Sequence, residues 1–154
     1  MGEMAAVKDL KVGSEIAGWT RAMTEERIQW YGDGLESAIA GKFTRVGVNI
    51  HTDEEFAKSQ GLTAVIADGM ISTNYLSSMM VRQFGTDYLE RGELRTKFIK
   101  PVYKDVVVST KGRVRSIERL ENGDARYVVE VWCEDQDGTR LTDGDAVVTV
   151  KAGR

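Results

Sequence analysis

Apolar residues in this chain follow two different periods. In the first 85 residues they recur every three to four positions, and from residue 93 onward they alternate with polar ones. A recurrence near 3.6 marks one face of a helix, and a recurrence of two marks a half-buried strand. In "TEERIQWYGDG", Thr24 offers a hydroxyl cap, Ile28 and Tyr31 share a side, and Asp33-Gly34 interrupts the pattern, which predicts a helix over about residues 24–32. The segment "LESAIAGKFTRVGVNIH" mixes small residues with Gly41 and Gly47 and fits a short strand or a loop. Thr52-x-x-Glu55 matches a capping box, with Phe56 and Ala57 behind it and Gly61 as a stop, so a second helix starts just after His51. A third helix begins at Asp68, a side-chain cap, and carries Ile71, Tyr75, Leu76, Met79 and Met80 at helical spacing up to Gly85.

Beyond residue 93 the text reads as four strands: "LRTKFIKPVY", "DVVVSTKGRVRSIERL", "ARYVVEVWCED" and "DAVVTVK", with Asn122-Gly123 and Asp137-Gly138 as tight turns. In the third of these, Tyr127, Val129, Val131 and Cys133 fall on one face, opposite Val128, Glu130 and Trp132, so Cys133 reads as a small core residue. Pro101 suits a sheet edge. Helices first and strands afterwards give an α+β class, with an antiparallel sheet covering one long apolar helix. A sheet of this kind keeps a free edge, and pairing two edges predicts a homodimer or a higher homo-oligomer.

Composition narrows the function. At 154 residues a single domain over 1–154 is expected, and 42% hydrophobic with 29% charged residues is ordinary for a globular protein. A net charge of −3 supplies no basic field for nucleic acid. One cysteine and one histidine provide no familiar zinc set, so neither metal nor cofactor is expected. No stretch approaches a membrane span, and the start lacks a signal-peptide core, so a cytoplasmic protein that does not enter membranes is expected.

Three stretches taken together, "NIHTDEEFAKSQGL", "IADGM" and "RTKFIKPVYKDVVV", resemble the MaoC-like dehydratase family, which includes R-specific enoyl-CoA hydratases; the likeness runs over about residues 12–150. The resemblance implies a hot-dog fold, a curved antiparallel sheet wrapped around a long central helix, in a dimer that takes an acyl-CoA or other acyl thioester near the helix start. It implies hydratase or dehydratase chemistry, in which a histidine and an aspartate move protons and an amide at the helix start holds the thioester oxygen. His51 matches the family histidine. Gly69, next to Met70 in "ADGM", matches the glycine that opens the helix. The family aspartate, five positions before the histidine, is replaced by Val46, and Asn49 stands where proline is usual.

A valine cannot carry a proton, so other residues must be weighed. Asp68, at the position of a second family histidine, could orient His51 or act beside it, or it could only cap the helix. Asp33 could return to the site, or it could be a turn residue before Gly34. Asn49 could hold water or the thioester but cannot act as a base, and it suits a turn equally well. Tyr75 could reach the ligand or belong to the core. Trp30 and Tyr31 could line an acyl pocket or anchor the first helix. His51 itself could satisfy a buried carbonyl, yet an imidazole is also the natural proton carrier near neutral pH. Two functions follow: a lyase that hydrates enoyl thioesters or dehydrates 3-hydroxyacyl thioesters with a rewired acid/base pair, or a non-catalytic thioester-binding subunit that pairs with a catalytic chain.

Overall fold

The computed structural model describes residues 5–16, 18–40 and 48–153. Six antiparallel strands form its sheet: β1 (Glu15–Ile16), β2 (Thr20–Ala22), β3 (Gly92–Phe98), β4 (Val107–Arg119), β5 (Ala125–Glu134) and β6 (Arg140–Val150). Their order is β1-β4-β5-β6-β3, and β2 also pairs with β4. The helices are α1 (Glu25–Ala40), α2 (Glu54–Ser59), α3 (Gly69–Phe84) and α4 (Thr86–Arg91). Among the described residues, no helix is long and apolar enough to cross a membrane.

The long helix α3 begins and ends where its sequence signals fall. Asp68 Oδ1 accepts the Met70 amide at 2.8 Å, and Gly85, at φ 59°, ends the helix in a conformation that L side chains resist. Its stripe of Ile71, Leu76, Met79, Met80 and Phe84 is buried against the inward residues of the strands, among them Val108, Val114, Tyr127, Val129, Val131, Ala146 and Val148. Alternation along β5 puts Tyr127, Val129, Val131 and Cys133 into that core, as the sequence pattern predicts. Both tight turns form, with Gly123 at φ 85° and Gly138 at φ 79°. A register shift between Val114 and Ser116 lies in the longest strand, a feature that bends a sheet locally.

Five elements differ from the sequence expectations. α1 does not stop at Asp33-Gly34 but continues to Ala40. Thr24 does cap it, through the Arg27 amide at 3.2 Å, while the Asn74 side-chain amide on α3 donates to Tyr31 Oη at 2.8 Å. Ile28 is buried as well. These tertiary contacts outweigh a cost of about 1 kcal/mol for each helical glycine. The cap of α2 is shifted by one residue: Asp53, not Thr52, accepts the Phe56 amide at 2.7 Å. The amides of both Thr52 and Asp53 donate to the Asn49 carbonyl, and the helix proper begins one residue later, at Glu54. Finally, β1, β2 and α4 carry no pattern long enough to have been read from spacing. Val46 and the rest of the segment 41–47 lie outside the described residues.

Cys133 is fully buried, and burial pushes its thiol up to about 12, with the Ser72 side chain opposing the shift only in part. At pH 8 its thiolate fraction is then on the order of one in ten thousand. A disulfide reagent at pH 8 should therefore label the folded chain only on the timescale of unfolding and label the denatured chain at once. Rapid stoichiometric labelling of the folded chain would contradict this core assignment.

Candidate functional site

The site is assembled by three short backbone segments laid side by side. The Ile66 amide donates to the Ile50 carbonyl at 3.2 Å, the Ala67 amide donates to the Val102 carbonyl at 2.8 Å, and the Lys104 amide donates to the Val65 carbonyl at 3.0 Å. Residues 65–67 are thus held between the turn that carries His51 and the connection from β3 to β4. Since every buried backbone group needs a partner, this ladder fixes where α3 can begin.

Asn49 organises the His51 turn. Its side-chain oxygen accepts the His51 amide at 2.8 Å, and its carbonyl accepts the amides of Thr52 and Asp53. Such an Asx turn explains why a polar residue occupies the position. It also places Asn49 in the turn role, holding the backbone rather than the imidazole. The imidazole Nδ1 lies 2.7 Å from the Ile66 carbonyl oxygen. A carbonyl can only accept, so Nδ1 carries the hydrogen and the neutral ring keeps its lone pair on Nε2. His51 therefore does satisfy a carbonyl, as one reading of the sequence had it. With one nitrogen so engaged, the other is left basic and correctly tautomeric.

His51 lines a pocket of about 320 Å³. Its other walls are mainly hydrocarbon: Ile66, Ala67, Phe98, Ile99, Pro101 and Val102, with Lys100, Thr142 and the backbone of Gly69 completing it. Gly69 allows a close approach here, because a Cβ at that position would stand 2.9 Å from the Phe98 ring and the ring would have to shift. Gly69 is also the first residue of α3. The Met70 amide is taken by Asp68 Oδ1 and the Ile71 amide by the Asp68 carbonyl. The Gly69 amide has no acceptor among the described residues, and it sits at the positive end of the helix.

The remaining candidates are distributed around this pocket. Asp68 uses its carboxylate as the helix cap, and burial, with the Asp68 charge adding to it, holds the Tyr31 hydroxyl above its ordinary pKa. Met70 is 46% exposed at the helix start. Tyr75 is half-buried against the core, and burial raises its pKa, while Arg27 and Arg21 nearby oppose the shift. Tyr31 anchors α1 to α3, whereas Trp30 is 69% exposed. Asp33 belongs to α1, not to a turn, and follows Tyr31 by two residues, which carries it to another face of the helix. Phe98, Pro101, Val102 and Thr142 were not legible as site residues, because only the folded sheet brings the β3–β4 connection and the start of β6 to the helix N-terminus.

Other depressions have different chemistry. One on the sheet, about 330 Å³, holds Arg115 and Arg140, whose charges are already met by Glu130, Asp143 and Asp145. Another of about 390 Å³ lies beside Trp19 and Trp132. Neither contains a histidine. Among the described residues, no group of three His, Cys, Asp or Glu side chains converges as a metal site would require.

An antiparallel sheet wrapped around one long helix, with a pocket at the helix N-terminus, defines a hot-dog protein. Residues 47–134, more than half of the chain, match the family model described as the MaoC like domain, and the chain belongs to that family, whose chemistry at family level is hydration and dehydration. Solved structures agree on the fold. The (R)-hydratase from A. caviae involved in PHA biosynthesis aligns at 18% identity over 94% of this chain and 100% of that one, with a TM-score of 0.70. The MaoC-like dehydratase from Rhodospirillum rubrum gives 15% identity, 97% and 99% coverage and a TM-score of 0.73. The C-terminally truncated HadBC (3R-hydroxyacyl-ACP dehydratase) complex from Mycobacterium tuberculosis gives 16%, 90% and 96%, and 0.64. No curated protein sequence matches the chain.

Proposed function

We propose that this protein is a hydro-lyase acting on an enoyl or 3-hydroxyacyl thioester, with acyl-CoA as the substrate, and that His51 is its proton carrier. One observation carries the reading: the Nδ1 bond to Ile66 leaves Nε2 as the only free nitrogen of an imidazole that shares a pocket with the unpaired Gly69 amide. The hydrocarbon walls suit an acyl chain, and the Lys100 ammonium at the rim suits the phosphates of coenzyme A.

In hydration, Nε2 removes a proton from water as the water oxygen bonds to C3 of the enoyl group. Electrons move onto the thioester oxygen, where the Gly69 amide and the helix terminus stabilise the developing charge. The enolate then collapses, and C2 takes a proton back from the imidazolium, so that the ring ends as it began. Dehydration runs the same steps in reverse. Asp68 takes part as a positioning residue: by capping α3 it keeps the Gly69 amide aimed at the pocket. This single-imidazole scheme fits the replacement of the family aspartate by Val46.

A second reading, a non-catalytic subunit paired with a catalytic chain, is favoured by that same valine and by the likeness of fold to a dehydratase complex. The free edge of β3, which ends the strand order, supports pairing with a second copy of this chain.

Hydration of crotonyl-CoA by the purified chain decides between these. His51→Ala should lower kcat/KM by about 10²- to 10⁴-fold. Asp68→Asn, which still caps a helix, should stay within about tenfold of wild type. A loss in Asp68→Asn or Asp33→Asn as deep as that of His51→Ala would replace the single-imidazole scheme with a carboxylate pair. Thioester binding with no turnover would favour the subunit reading. Sedimentation should give about twice the monomer mass, and a monomer at micromolar concentration would remove the dimer.

A further inference from the structure

Away from the His51 pocket, three arginines gather charge that no acid answers. Arg21 lies in β2, Arg27 in the first turn of α1 and Arg82 in the last turn of α3. Among the described residues no carboxylate comes within ion-pair distance of any of them, and the nearby Glu25 is bonded to Lys104.

The short strand β2 brings the three together. The Thr110 amide donates to the Trp19 carbonyl, the Met23 amide donates to the Val106 carbonyl, and the Asp105 amide donates to the Met23 carbonyl. Residues 19, 21 and 23 thus turn their backbone groups to β4, while exposed Thr20 and Ala22 turn theirs to the open edge. There Arg21 Nη1 donates to the Thr20 carbonyl at 3.4 Å, and Arg27 Nη1 donates to the Ala22 carbonyl. Arg21 stands opposite buried Val108, on the face of β2 it shares with Trp19, and the Arg82 guanidinium lies over the Trp19 ring, 5.1 Å from its centre. Arg82 Nη1 is closed off from solvent and has no hydrogen-bond partner among the described residues. Tyr75, two turns before Arg82 on the same side of α3, feels the charges of Arg27 and Arg21.

At this edge the carbonyls are taken by guanidinium groups, which leaves the amide hydrogens of Thr20 and Ala22 and the other guanidinium hydrogens for a ligand. A strand added here would need acceptors as well as donors, so the edge resists pairing. An anion needs donors only. One carboxylate is satisfied by a single guanidinium fork, whereas a phosphate spreads its oxygens and its charge over several donors.

We propose that the open edge of β2 is a phosphate-binding site, with Arg21 and Arg27 as its donors and Arg82 as a supporting charge. Two sources share that chemistry: a free phosphorylated small molecule, and the diphosphate of a CoA thioester seated in the His51 pocket. The second rests on the thioester reading and on the connection from the pocket wall at Val102 to Asp105, whose amide is bonded to Met23. The site itself does not depend on it.

Calorimetric titration of the full chain with pyrophosphate tests the site. Wild type should bind it, and Arg21→Gln and Arg27→Gln should each weaken binding by about tenfold. Arg21→Lys, which keeps the charge without the fork, should fall between. Arg113→Gln, which removes an equal charge paired with Glu15 elsewhere on the sheet, should change binding by less than about twofold. Kinetics with crotonyl-CoA and crotonyl-pantetheine separate the sources. A KM raised about tenfold in Arg21→Gln for crotonyl-CoA alone assigns the phosphate to CoA, and an unchanged KM for both assigns it to a separate molecule. Wild-type protein that does not bind pyrophosphate, or an Arg113→Gln loss equal to that of Arg21→Gln, overturns the site whether or not the chain turns over crotonyl-CoA.

Discussion

The site depends on the hydrogen bonding of one residue, Ile66. Its amide is tied to the Ile50 carbonyl, its carbonyl receives the His51 Nδ1 hydrogen, and its neighbour Ala67 is tied to Val102. Through these bonds the histidine turn, the start of α3 and the β3–β4 connection become one unit. Were that segment to shift, the imidazole would lose its tautomer, the Gly69 amide its direction, and the pocket its wall of Phe98 and Pro101. Stability and function here share the same few backbone groups. This explains how a site can rest on short irregular stretches while regular elements merely surround it.

Much of the fold was legible because its long elements obey a single period over many residues. α3 has an acidic cap, a repeating apolar stripe and a terminal glycine, and β5 sends every second residue from Ala125 to Cys133 inward, with Trp132 alone also buried on the other face. α1 runs past the end its spacing predicts because Gly32 and Gly34 weaken the local signal, while the tie from Tyr31 to Asn74 is tertiary and invisible in spacing. The cap of α2 falls on Asp53 instead of Thr52, because the turn built on Asn49 takes in both residues and the helix starts only at Glu54. The hot-dog architecture itself came from motif resemblance, since an α+β pattern alone admits other wrappings.

The candidate site was legible in part. His51 and Gly69 were singled out from short motifs, and the fold brings both to one pocket. Asp68 was read as either cap or acid, and its bond to Met70 establishes the cap. Asn49 proved to be the residue that shapes the turn. The apolar walls and Thr142 escaped notice because alternation within a strand reveals which face a side chain joins, but not which distant element it meets there. Thr142 looked like any β-branched strand residue until its neighbours were known.

The bond from Nδ1 to the Ile66 carbonyl sets the tautomer of His51 and leaves the lone pair on Nε2. The chain has a single histidine, so nitrogen-15 NMR of uniformly labelled protein yields one imidazole pattern with no assignment problem. With the ring neutral, the account predicts a protonated Nδ1 and a lone pair on Nε2. A proton found on Nε2, or an average of both tautomers, would contradict it.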